Sequence, residues 1–130
     1  MTLSQVHIAS TRDRALSDVV GELLERCQVD QVVRPGAQVL VKPNFGCADP
    51  LRLYSNTSLD VVEAVCRRLL QRTDHIVIGE ADGMRHSADD AFRAMGADRM
   101  AERLGVKLVN FTRDEHVALP NKTLGTWRLP

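Results

Sequence analysis

Two short apolar runs decide the fold: Val39-Leu40-Val41, followed by Lys42-Pro43-Asn44, and Ile76-Val77-Ile78, which sits between His75 and Gly79-Glu80. Neither run alternates apolar with polar residues. Each therefore reads as a strand buried on both faces, the pattern of a parallel sheet. Pro35-Gly36 is a turn signal ahead of the first run, and Pro43, which donates no ladder hydrogen bond, ends it.

The sequence around these runs is consistent with that reading. A long polar loop follows Pro43 as far as Asn56. Leu59, Val62, Val65, Cys66, Leu69 and Leu70 then recur at helical spacing, with Thr57 and Asp60 placed as a capping box. Beyond the second run, a loop from Glu80 to His86 leads to Ser87 and Asp90, a second capped helix start. That helix runs to Met95 and ends at Gly96, and a shorter helix from Asp98 to Leu104 ends at Gly105. Val106 to Phe111 reads as a strand. Upstream, Val6 to Ala9 reads as another strand, and the stretch from Asp13 places Leu16, Val19, Val20, Leu23, Leu24 and Cys27 on one helical face.

Alternating strands and helices predict an α/β fold: a Rossmann-like, mainly parallel sheet with helices on both faces and the two apolar runs at its centre. Val117–Leu119 and Gly125–Leu129 are further strand candidates. The tail stops at Pro130 in mid-pattern, so the expectation is a single α/β domain over residues 1–130 that forms the front portion of a larger one. A sheet left with an open edge in this way is expected to self-associate.

Composition bounds the function classes. Hydrophobic residues make up 44% and charged residues 26%, ordinary globular values that exclude disorder and fibrous architectures. Seventeen basic residues cancel seventeen acidic ones, and aromatic content is 4%. Neither nucleic acid nor an anionic membrane is the partner such a chain predicts. There is no apolar run of membrane-spanning length and no secretory leader in the first ten residues. Cys27, Cys47 and Cys66 are an odd, widely spaced set. They fit a reducing, cytoplasmic compartment better than a disulfide scaffold.

In open parallel sheets ligands bind at the carboxyl ends of the strands. That rule selects the loops at Ser10–Arg12, Lys42–Cys47, Glu80–His86 and Asn110–Asp114, all rich in polar residues. Lys42, directly after a buried run, reads either as a point charge for an anionic ligand or as an ion-pair partner of Glu80 or Asp82. Asn44 reads as a ligand-orienting amide or as a loop-holding turn residue. Thr57 reads as a plain helix cap first and as an anion-site donor second. Glu80 and Asp82 are the candidate acid, base or metal ligands. Together with His86 and Cys47 they are permissible donors for a divalent ion, although solvated loop charges account for them more simply. Gly83, in the same loop as Glu80 and Asp82, is a further candidate ligand-binding residue. No glycine lies in the first strand-to-helix turn, which disfavours a standard dinucleotide site. Cys27 and Cys66 read as core residues, His7 and His75 as strand residues, and His116 as surface.

The segment Val39-Leu40-Val41-Lys42-Pro43-Asn44 resembles a family of domains of unknown function, numbered 362. The family typically shows a Val-Leu-Ile-Lys-Pro-Asn segment, a Thr-rich helix start and a strand of the type Ile-Val-Ile-Gly-Asp/Glu before a glycine-containing loop. Asn56–Val62 and Ile76–Gly83 are similar to the second and third elements; Ala91–Gly96 and Val106–Asn110 are similar to the helix and strand that follow. The resemblance spans about residues 5 to 112. It implies a Rossmann-like α/β domain without a settled activity. Some members carry an appended ferredoxin-like iron–sulfur segment, for which this chain has no matching cysteine cluster. Family domains usually continue beyond the point where this chain stops.

The expectation is therefore a small-molecule-binding α/β domain, part of an enzyme of unspecified reaction, that holds an anionic ligand or metal complex at the strand carboxyl ends. Lys42, Asn44, Thr57 and Gly83 would bind the ligand, with Glu80 and Asp82 as the reactive carboxylates and no cofactor specified. The rival readings are a non-catalytic interaction module and a redox accessory domain that serves an iron–sulfur partner.

Overall fold

Ile76 and Ile78 are almost fully buried on one face of the central strand, and the core forms around them. The computed structural model describes residues 4–123 and 125–129. Val39–Val41 (β1), Ile76–Glu80 (β2) and Lys107–Asn110 (β3) form a parallel sheet in the order β1-β2-β3. Val39 pairs with Ile76, Val41 with Ile78, Ile78 with Leu108, and Glu80 with Asn110. Both crossovers are helical: Leu59–Leu69 (α3) joins β1 to β2, while Ala88–Met95 (α4) and Ala97–Leu104 (α5) join β2 to β3. Before the sheet, Leu16–Arg26 (α1) packs on α3, and Val29–Val32 (α2) is a single turn that periodicity did not foresee.

Small residues let the crossover helices sit close to the sheet. Ala88 and Ala91 of α4 and Ala97 and Ala101 of α5 are buried beside Phe92 and Met100, against Val62, Cys66 and Leu69 of α3. The caps read from sequence explain where α4 starts and stops. The Ser87 hydroxyl accepts from the Asp90 N–H at 3.1 Å, and Gly96 turns left-handed at φ 75° between α4 and α5.

Several expectations need correction. Val6–Ala9 forms no strand: Val6 and Ile8 are 83% and 85% exposed, and an extended segment without a ladder partner is only extended coil. Val39–Val41 is an edge strand among the described residues rather than a central one, and Leu40 is 57% exposed. The reason is that α3, α4 and α5 all cover the face carrying Val39, Val41, Ile76, Ile78 and Leu108. Leu40, Val77 and Val109 point to the other face, where the Phe111 ring covers Gly79. Cys27 is exposed at the end of α1, because Gln28 turns left-handed there and the apolar face stops short. Cys66 is core as expected, and burial pushes its thiol up to about 11, so it is inert. His75 precedes β2 and is exposed.

The tail strands exist but do not join the main sheet. Val117–Asn121 (β4) and Gly125–Leu129 (β5) pair antiparallel with each other, leaving Val117, Leu119 and Trp127 exposed on one face. Among the described residues no helix is long and apolar enough to cross a membrane.

Candidate functional site

The carboxyl ends of β1 and β2 lie side by side, and their loops are tied together by long-range hydrogen bonds. Lys42 and Glu80 meet across the two strand ends. The Lys42 ammonium is 2.9 Å from Glu80 Oε1 and 3.0 Å from Oε2, with side-chain exposures of 56% and 9%. The carboxylate is held from beneath as well: Oε1 accepts from the Ala81 N–H at 2.8 Å and Oε2 from the Phe45 N–H at 3.5 Å. Lys42 thus serves as the ion-pair partner of Glu80 while more than half its side chain remains in solvent.

Phe45 explains why the first loop is rigid. Its ring is fully buried, edge-on to Phe92 with centroids 6.2 Å apart. Around that anchor, Asn44 and Thr57 clasp each other: the Asn44 N–H donates to Thr57 Oγ1 at 2.9 Å, and the Thr57 N–H returns to the Asn44 carbonyl at 2.8 Å. Thr57 therefore does not cap α3. Ser58 occupies the N-cap position and makes no side-chain cap bond, while the threonine hydroxyl is committed to the loop. The Asn44 amide donates to the Ser55 carbonyl at 3.0 Å, so it too holds the loop. Asn56 brackets Cys47 by accepting from its N–H at 3.0 Å and donating to its carbonyl at 2.8 Å.

Asp82 is set apart from Lys42. Its Oδ1 accepts from the Ala88 N–H at 2.8 Å and from the Asn110 amide at 2.9 Å. These donors, the Ala88 N–H foremost, hold its carboxyl below the usual aspartate range. Asp82 thereby joins the start of α4 to the end of β3. Gly83 lies where only glycine fits comfortably: a Cβ there would come within 3.1 Å of the Gly46 carbonyl oxygen. The two loops touch at this pair of glycines.

Next to that contact is an open cavity of about 550 Å³ lined by Gly46, Cys47, Asp49, Arg52, Met84, Arg85 and His86. Its lining holds two arginines and a histidine against one aspartate. Asp49 already accepts from the Leu51 N–H at 2.9 Å and lies 3.9 Å from the Arg52 guanidinium. A second cavity of similar volume opens between the amino ends of the strands and the uncovered sheet face, beside Leu40 and Val77. Its lining includes Asp74, His75 and Lys107, with one acidic and one basic side chain. Sequence reasoning singled out neither Arg52 nor Arg85. The available signal was a pair of arginines in two loops that follow adjacent strands, and it became visible only once the register was known. Among the described residues no three His, Cys, Asp or Glu side chains gather to hold a metal ion, so Cys47, Glu80, Asp82 and His86 do not assemble into the donor set considered above.

The fold and this rim define a parallel α/β domain with a cationic cavity at its strand carboxyl ends. The chain belongs to the family described as Domain of unknown function (DUF362), whose model matches residues 39–130. The matched span begins at β1 and includes the β4–β5 tail. No curated protein and no solved structure matched the chain.

Proposed function

We propose that this chain is a small-molecule-binding domain, part of an enzyme, that receives an anionic ligand or a metal complex of one at the β1 and β2 loop rim. One observation carries the reading: the cavity beside Gly46 and Gly83 gathers Arg52, Arg85 and His86 against a single, already engaged carboxylate. Guanidinium groups bind carboxylates and phosphates bidentately, so such a lining selects for anions. In this reading Asn44, Thr57 and Asn56 keep the loop in its binding shape, and the Gly46–Gly83 contact fixes the cavity floor. Lys42 adds positive potential at the rim. Glu80, buried beside a solvent-reaching ammonium, is the carboxylate best placed for acid–base work. Asp82 serves by positioning α4.

A completed Rossmann-like sheet, helical on both faces, and a cytoplasmic location belong to the same proposal. The parallel order β1-β2-β3 supports the first and the three free cysteines support the second. A second reading, a non-catalytic interaction module, draws on a different observation: Glu80 and Asp82 both already accept hydrogen bonds from within the fold.

The deciding experiment is calorimetric titration of the chain with inorganic phosphate and pyrophosphate, repeated on Arg85→Gln and Lys42→Met. The expected result is saturable binding that Arg85→Gln weakens by roughly ten- to hundredfold, the equivalent of one charge-assisted contact of about 1.5–3 kcal/mol. Absence of any anion binding would leave the interaction module as the better account.

A further inference from the structure

The rim cavity is not uniformly polar. Met84, which lines it, is as exposed as a side chain in an open peptide, at 105%. On the other loop Leu51 and Tyr54, within two residues of Arg52 in sequence, are 86% and 85% exposed. Large apolar side chains left bare on both loops that line a cationic cavity mark a surface that binds something apolar. They sit on loops anchored by Phe45 in the core and by the Asn56 clasp on Cys47, so the surface is held in place before any ligand arrives.

The charged side of the cavity points to a dianion. Arg52 has only its long contact with Asp49, and the Arg85 guanidinium forms no hydrogen bond or ion pair within the described fold. Two guanidinium groups against one carboxylate whose Oδ1 already holds the Leu51 N–H leave an excess of positive charge. Gly46 leaves the floor open, since a Cβ there would meet only Asn44 Oδ1, at 3.9 Å. An oxyanion can therefore approach the backbone closely at that point.

From these two halves we infer that the ligand is a phosphate monoester with an apolar body, its dianionic head between Arg52, Arg85 and His86 and its body across Met84 towards Leu51 and Tyr54. The inference rests on the rim reading above and narrows it to a ligand class.

The test uses the whole chain and a short ligand series: inorganic phosphate, ethyl phosphate, hexyl phosphate and hexanoate, each titrated by calorimetry. A fully buried methylene strengthens binding about fourfold, so an open cavity that covers half of each gives about twofold per methylene. Hexyl phosphate should then bind roughly tenfold or more tighter than ethyl phosphate. Met84→Ser should remove at least half of that gain. Arg85→Gln should weaken all three phosphates by a similar factor. Both positions are exposed loop residues, so the variants fold. Equal affinity for ethyl and hexyl phosphate would overturn the apolar-body inference and leave the anion reading standing. Hexanoate binding as tightly as hexyl phosphate would overturn the dianion assignment. Hexyl phosphate binding that Arg85→Gln leaves undiminished would place the ligand elsewhere and overturn the site. Failure of every phosphate to bind would overturn the rim reading itself.

Discussion

Replacing Lys42 by methionine keeps the apolar stem and deletes the charge that Glu80 faces. The carboxylate then retains the Ala81 N–H at 2.8 Å and a weak contact from the Phe45 N–H at 3.5 Å, and Oε2 loses its closest donor among the described residues. A fully exposed ion pair contributes about 0–1 kcal/mol, and removing one partner of a fully buried pair costs about 3–5 kcal/mol. With the lysine side chain 56% exposed and the glutamate 9%, the cost falls between these limits, at about 1–2 kcal/mol. Glu80→Gln should cost about as much, because it turns an amide towards the ammonium. The double variant Lys42→Met/Glu80→Gln should recover part of the loss, with a coupling energy of about 1 kcal/mol. Urea unfolding at neutral pH, followed by far-ultraviolet circular dichroism, measures all four proteins. Tryptophan fluorescence would instead follow the β4–β5 hairpin, where Trp127 sits. Single variants within about 0.3 kcal/mol of the parent and additive in combination would refute the coupling and show two independently solvated side chains.

Other outcomes follow from the same geometry. Gly79→Ala places a methyl inside the Phe111 ring and should destabilise the fold by about 1–3 kcal/mol, with Gly79→Ala/Phe111→Ala relieving most of the clash; a neutral single variant in urea unfolding would contradict the packing. Asp82 titrates lower in the folded chain than in the unfolded one, so the stability it contributes is present above the ordinary aspartate range and is lost as pH falls through the lowered value. Asp82→Asn should therefore flatten the acid limb of a stability–pH curve, and an unchanged limb would sink the assignment. The uncovered face at Leu40 and Val77 and the bare hairpin face at Val117, Leu119 and Trp127 should drive self-association. A concentration-independent monomer in sedimentation would count against it.

The sequence by itself determined the local pieces. The continuous apolar runs Val39–Val41 and Ile76–Ile78 demanded strands, and the spacing of Val62, Cys66 and Leu69 demanded a helix with one buried face. Ser87 and Gly96 fixed the ends of α4 because a cap bond and a left-handed turn are settled within a few residues. Tertiary structure alone decided the rest. A hydroxyl at Thr57 satisfies a helix N-terminus or a loop amide equally well, and only the return of the chain past Asn44 selected the loop. Val6 and Ile8 have the pattern of a strand, but a strand exists only when a partner edge is within hydrogen-bonding reach. Which face of the sheet is covered, and which arginines line one cavity beside Gly46 and Gly83, depends on register and crossover direction. Those are set by contacts between residues far apart in the chain, which no local pattern encodes.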